Sequence, residues 1–242
     1  MKIDLFCPSR ERINKVLTFI CSIITTAKDI NNINLVLGVD DDDPKLDHYL
    51  KIAQNLDFIQ VVRYPEGLIE EIGLCGLWNV MAEQTTNEII AMVGDDMKFE
   101  TPDWDEKILK EFSNKEDNFY LIHCNDGMRG PGNKYANVPP LAVNSFIHRD
   151  YVDTVGHYME EVEPNTFGDT YLDKVFELLN RKIYFHNIMI RHMHFSEYGG
   201  KDQVSVNIEK TREGIWDDPT FFQEKLMPEI LKEVEIIKAK IA

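Results

Sequence analysis

Apolar residues recur along this chain in two periods, and the periods alternate. Consecutive apolar runs at residues 3–7, 35–39, 58–64 and 89–93 read as strands buried on both faces. Between them apolar residues return every three or four positions. Ile13, Val16, Leu17, Ile20 and Ile24 form one such set; Leu77, Val80 and Met81 form a second; Trp104, Ile108 and Phe112 form a third. Each set predicts one face of a helix, with Trp78 as packing in the second. Pro8 ends the first strand and Ser9 is the expected cap of the first helix, while Thr101-Pro102 opens the third. Strand then helix, repeated, predicts a parallel sheet with helices on both faces.

The second half changes character. Strands are predicted at 119–124 and 141–148, but the glycine-rich segment 125–135 between them cannot be regular structure. It reads either as a loop that binds substrate or closes over a site, or as a disordered connection. Residues 149–157 suggest a short helix. Phe167-Gly168-Asp169-Thr170 opens another, with Leu172, Val175, Phe176 and Leu179 inward. A strand at 183–190 leads into Arg191-His192-Met193-His194, and residues 196–202 form a turn that carries Lys201. From Pro219 a stripe of Phe222, Leu226, Ile230, Val234, Ile237 and Ile241 predicts a helical tail, with Asp218 as cap and a kink or new start at Pro228. That stripe packs on the domain or forms a homodimer.

Composition bounds the class. With 242 residues and 43% hydrophobic content, the chain can bury the core of one large α/β domain or of two closely joined halves. No apolar run approaches the roughly 18 residues a membrane span needs, and the N-terminus lacks a signal-like pattern, so a cytoplasmic protein without membrane insertion is expected. Cys7, Cys21, Cys75 and Cys124 are scattered in apolar contexts and read as reduced core residues. A net charge of -16 disfavours a nucleic-acid partner, because binding phosphate chains relies on Lys and Arg.

Candidate chemistry gathers at the strand ends. The run at 89–93 stops at Gly94-Asp95-Asp96, and two carboxylates at the carboxyl end of a buried strand suit a hard divalent cation and the phosphate it carries. After the first strand, Ser9, Arg10 and Arg12 fall in the turn; the arginines are either surface charge or a means of neutralising phosphate. After the second, Asp40-Asp41-Asp42-Asp43 is either a solvated loop or a source of one acid, Asp40 or Asp42, for a base or ribose. An EF-hand is excluded, since the place that needs glycine holds Lys45. Asp169 suits a helix cap, a functional carboxylate, or both. In extended chain His192 and His194 share a face, which by itself is a weak metal signal.

Taken together, Phe6-Cys7-Pro8-Ser9-Arg10 after the first strand, acids after the second, Gly94-Asp95-Asp96, Phe167-Gly168-Asp169 and a late histidine resemble a GT-A glycosyltransferase, in layout nearest to family 2. The resemblance implies a Rossmann-like, mostly parallel central sheet flanked by helices, with a C-terminal helical tail outside it. It implies a single domain over 1–242, with 1–124 the nucleotide-sugar half, 125–202 the acceptor and catalytic half, and 203–242 a helical extension. In such enzymes Pro8, Arg10, Asp40 and Asp42 would hold the nucleotide, and Asp95 would lie near the ribose or a metal-bound water. Asp96 would bind Mn²⁺ or Mg²⁺, and His194, with His192 as second choice, would complete the metal site. Asp169 would be the catalytic base, although Gly168 stands where the family keeps a first acid. The donor would be a nucleotide-sugar, UDP-type, and the acceptor a glycan or other hydroxyl; a hydroxymethylated DNA base is disfavoured by charge. A nucleotidylyltransferase and a noncatalytic nucleotide- or sugar-binding module are the alternatives, the former weakened by the lack of glycine in Cys7-Pro8-Ser9-Arg10-Glu11-Arg12.

Overall fold

The computed structural model describes residues 1–130, 132–133, 135–162, 167–194, 206, 210 and 220–242. Lys134, the turn at 196–202 with Lys201, Asp218 and Pro219 lie outside the described residues. The elements are β1 (Ile3–Pro8), α1 (Ile13–Thr26), β2 (Ile33–Asp40), α2 (Leu46–Asn55), β3 (Ile59–Tyr64), α3 (Leu68–Glu83), β4 (Ile89–Met92), β5 (Met97–Phe99), α4 (Trp104–Ser113), β6 (Leu121–Asn125), β7 (Ser145–His148), α5 (Asp150–Val155), α6 (Gly168–Leu178), β8 (Lys182–His192) and α7 (Met227–Ile241). A π-helical turn, Phe222–Leu226, precedes α7.

The strands join in one sheet in the order β3-β2-β1-β4-β7-β6-β8-β5. β1 pairs in parallel with β2 and β4, β2 with β3, and β6 with β8. β7 is antiparallel to both β4 and β6, and β5 is antiparallel to β8. The predicted sheet with helices on both faces is borne out. The reversed strands β7 and β5 are the part that alternation of periods could not show.

Alternate residues of β1 explain the two layers. Ile3, Leu5 and Cys7 face Val16, Phe19, Ile20 and Ile23 of α1 and Trp104, Ile108 and Phe112 of α4. Phe6 faces the other way, into a cluster with Leu77 and Met81 of α3, Tyr151 of α5, Leu172, Val175 and Phe176 of α6, and Ile230, Val234 and Ile237 of α7. The tail stripe is therefore buried on its own domain. Its polar exception is Glu233, also buried, whose carboxylate accepts from Tyr151 Oη at 2.6 Å and Tyr171 Oη at 2.8 Å.

Several local expectations need correction. On α1 the buried stripe is Val16, Phe19, Ile20 and Ile23, whereas Leu17 and Ile24 are exposed, about a quarter-turn round the helix. Cys21 is exposed as well; the other three cysteines are buried, and all four are free. Ser9 does not cap α1, because its hydroxyl is directed to Asp95 instead. Thr101 does not cap α4 either: its hydroxyl accepts the Met189 amide. Asp169 lies inside the first turn of α6, after Phe167 in left-handed conformation, and accepts the Thr170 amide there without occupying the N-cap position. α3 begins earlier than its periodicity indicates and bends at Gly73, whose φ of 66° suits glycine. Among the described residues no helix is long and apolar enough to cross a membrane.

Candidate active site

The carboxyl ends of β1, β2 and β4 lie side by side, and their following turns carry the site. In the ladder Phe6 is opposite Val36 on one side and Met92 on the other, so the turns at Ser9, Asp40 and Asp95 share one edge of the sheet. Ser9 Oγ donates to Asp95 Oδ2 at 2.7 Å and lies 3.2 Å from Tyr49 Oη. Arg12 Nη1 reaches Asp95 Oδ1 at 3.2 Å, so both oxygens of this buried carboxylate are engaged. Burial pushes the Asp95 carboxyl up to about 6, and the charge of Asp96 adds to this against the pull of Arg12 and Ser9.

Arg10 serves both acids expected to hold the nucleotide. Its Nη1 donates to Asp40 Oδ2 at 3.0 Å, and its fork closes on Asp42 at 2.5 and 2.9 Å. Burial raises the pKa of Asp40, partly offset by Arg10. The Arg10 hydrogen bonds hold exposed Asp42 below the ordinary carboxylate range. Asp43 does structural work, accepting the Glu11 and Lys45 amides at 2.8 and 2.6 Å. Pro8 ends β1 directly beside this group.

Asp96 has a different neighbour. β8 runs antiparallel to β5 with His192 opposite Met97, and the Met193 amide donates to the Asp96 carbonyl at 2.7 Å. This register lays His192 Nε2 3.4 Å from Asp96 Oδ2. His194 stands edge-on to His192, ring centroids 5.3 Å apart. Burial opposes the charge on each partner, but the shared hydrogen bond wins: the pKa of Asp96 is lowered and that of His192 raised. Gly94 leaves the room Asp96 needs, because a Cβ there would lie 2.7 Å from Asp96 Oδ1.

The residues fit a divalent ion. Two ligands held by one ion at about 2.1 Å lie about 3 to 3.5 Å apart, which matches the Asp96–His192 separation, and an oxygen with an imidazole nitrogen suits Mn²⁺. The other acid, Asp95, is tied to Ser9 and Arg12.

The glycine-rich segment is folded against this edge. Asp126 Oδ1 accepts the Met128 and Arg129 amides at 2.8 and 2.9 Å, its Oδ2 takes Arg129 Nη1 at 3.0 Å, and its carbonyl takes the His192 amide at 2.9 Å. Gly127, Gly130 and Gly132 all have positive φ, and Arg129 bridges to Tyr135. Among the described residues Asp169 hydrogen-bonds to Thr170 alone, through its amide at 2.7 Å and its hydroxyl at 3.2 Å, and has no direct link to the acid pair. Gly168 before it is buried, and a Cβ there would sit 3.0 Å from Cys75 Sγ.

Sequence reasoning missed Tyr49 and Asp126. Tyr49 is an ordinary helical aromatic with no local signal. Asp126 had one, since an acid directly before a glycine in a turn recurrently accepts the amide two residues on, here that of Met128.

No protein-family model matches the chain, and no curated protein matches it. Solved structures do. S. aureus TarS 1-349 in complex with UDP-GlcNAc aligns with a TM-score of 0.61 and 12% identity, covering 86% of this chain and 64% of that one. Mannosyltransferase PcManGT from Pyrobaculum calidifontis, in complex with GDP-Man and Mn²⁺, aligns with a TM-score of 0.61 and 12% identity over 98% of this chain and 74% of that one. Against the longer S. aureus TarS structure the alignment takes in 99% of this chain but 49% of that one, so the chain spans about half its length. At such identity the likeness establishes the fold: a mixed α/β architecture of the GT-A glycosyltransferase type, with a C-terminal helix.

Proposed function

We propose that this protein is a metal-dependent, inverting glycosyltransferase that moves a sugar from a nucleotide-diphosphate sugar, UDP-type, to an acceptor hydroxyl. The observation that carries the reading is the pairing of Asp96 with a histidine at 3.4 Å, on the sheet edge where the β1 and β2 turns meet. Solved neighbours of the same fold hold UDP-GlcNAc, or GDP-Man with Mn²⁺.

In this reading 1–124 forms the donor half and 125–202 the acceptor half. Pro8, Arg10, Asp40 and Asp42 hold the nucleoside, with Arg10 keeping the two acids in place for base or ribose. Asp96 and His192 are the ligands for Mn²⁺ or Mg²⁺, with His194 beside them; Asp95 borders the ribose side. Such an ion, when bound, neutralises the charge that grows on the leaving diphosphate. Asp169 receives the proton of the acceptor hydroxyl as the acceptor oxygen bonds to the anomeric carbon. The bond from that carbon to the diphosphate oxygen breaks, its electron pair leaves on the diphosphate, and attack from the opposite face inverts the centre. The acceptor is a glycan rather than DNA, given the net charge of -16. A homodimer through α7 would use its outer face, where Leu231 and Ile236 are exposed.

A noncatalytic binding module is the second reading, favoured by the local bonding of Asp169 and by Gly168 in place of an acid. Thermal melts across a panel of nucleoside diphosphates with Mn²⁺ test the first: at a hundredfold excess over Kd a true ligand adds about 2.7 kcal/mol of stability. A flat panel overturns the donor site. Asp169→Asn then separates the readings, since an enzyme loses turnover with nucleotide binding intact, and a binding module has no turnover to lose.

A further inference from the structure

We propose that Arg12 is the side chain that meets the donor's diphosphate, and that Asp95, Ser9 and Tyr49 are positioning residues that aim it. The inference rests on the glycosyl-transfer reading above and adds a protein cation to it.

The support is a closed ring of contacts. Arg12 Nη1 touches Asp95 Oδ1 at 3.2 Å, Asp95 Oδ2 accepts from Ser9 Oγ at 2.7 Å, and Ser9 Oγ lies 3.2 Å from Tyr49 Oη. Tyr49 Oη in turn accepts the backbone amide of Arg12 at 3.2 Å. Three segments meet here: the turn after β1, the first helix after β2, and the end of β4. Tyr49 is fully buried and the Arg12 side chain is 13% exposed, so the guanidinium has little freedom to wander. Such restraint is what a surface arginine lacks. A planar fork held in one orientation suits two phosphate oxygens better than a swinging ammonium does.

Charge points the same way. Arg12 lines a cavity of about 470 Å³ together with Asn14, Lys15 and Lys45, and among the described residues Glu11 is the acid on its wall. In a chain of net charge -16, an opening lined by Arg12, Lys15 and Lys45 gathers cationic side chains at one place. Asp95 and Asp96 are served separately: Arg12 neutralises the first, and the His192 side of the site takes the second. With Asp95 already matched by Arg12, an ion at Asp96 leaves the pair net positive toward an incoming diphosphate. Asp95 thus acts through Arg12 and not as a ligand.

The test compares ligands that differ only in phosphate. Binding of UDP, UMP and uridine, and of GDP, GMP and guanosine, is measured with MnCl₂ by calorimetry for wild type, Arg12→Gln, Arg12→Lys and Tyr49→Phe. For the series that wild type binds, Arg12→Gln is expected to weaken the diphosphate at least about tenfold and the nucleoside less than about twofold, with Arg12→Lys between. Tyr49→Phe, which keeps the ring and loses only the tether, is expected to weaken the diphosphate about threefold with the nucleoside unchanged. Equal losses for diphosphate and nucleoside, or none, overturn the role of Arg12 while leaving the donor site standing. A wild type that binds no diphosphate overturns both.

Discussion

His192 Nε2 and Asp96 Oδ2 lie 3.4 Å apart although they come from opposite halves of the sequence. One antiparallel register, Met97 against His192, brings them together. A proton shared by this pair and a divalent ion compete for the same space, so the metal-bound state should depend on both side chains.

Asp96→Ala is therefore expected to abolish the Mn²⁺ dependence of nucleotide binding, and His192→Ala to weaken Mn²⁺ affinity about 10- to 100-fold. His194→Ala, removing the ring behind, should have the smaller effect. Mn²⁺ titrations followed by electron paramagnetic resonance read all three. A larger loss for His194 than for His192 would make His194 the metal ligand instead. Gly94→Ala should mimic a mild Asp96 lesion, because its Cβ would push against that carboxylate.

The docking of the tail should depend on pH through His157. Its Nε2 lies 3.1 Å from Glu233 Oε1. Burial opposes a charged imidazole here, but the Glu233 hydrogen bond and the charges of Glu233, Glu160 and Glu161 outweigh it, so the pKa rises above the ordinary 6.5. A raised pKa means stability that is fully present below pH 6.5 and is lost as pH climbs through the folded value. Melting temperature should thus fall as pH rises above about 6.5 in wild type and fall less in His157→Asn. Parallel profiles for the two proteins would refute the assignment. Glu233→Leu, which strands Tyr151 Oη and Tyr171 Oη without their acceptor and removes the partner of His157, should cost ~3 kcal/mol, and more at low pH than at high pH.

Gly38 is expected to tolerate no side chain. A Cβ there would fall within the ring of Tyr64, which is held in place by its own hydrogen bond to the Leu77 carbonyl at 3.1 Å. Gly38→Ala should cost ~2 kcal/mol by overpacking, and with it about 4 to 8 °C in Tm. An unchanged melt would mean that Tyr64 moves freely, against its burial.

Much of the candidate site was legible because its signals are local. The runs that end at Pro8, Asp40 and Gly94 marked strands, and in a parallel sheet such ends fall on one edge. Helix orientation was less legible: Leu17 and Ile24 fit the period of α1 yet lie outside, because period fixes a stripe's existence and packing fixes its centre. Caps misled for a related reason. Ser9 and Thr101 have the chemistry of caps, but each hydroxyl found a partner far away in sequence, Asp95 and Met189.

By itself the sequence determined the alternating strands and helices, the acids that end them and the helical period of the tail, since each depends on residues within a few positions of one another. Only the tertiary structure decided that β7 runs backwards, that His192 is the histidine against Asp96, and that Arg12 belongs to Asp95 while Arg10 belongs to Asp40 and Asp42. Those outcomes turn on strand register, where a slip of one residue sends a side chain to the other face, and no short-range pattern in the chain encodes which register closes.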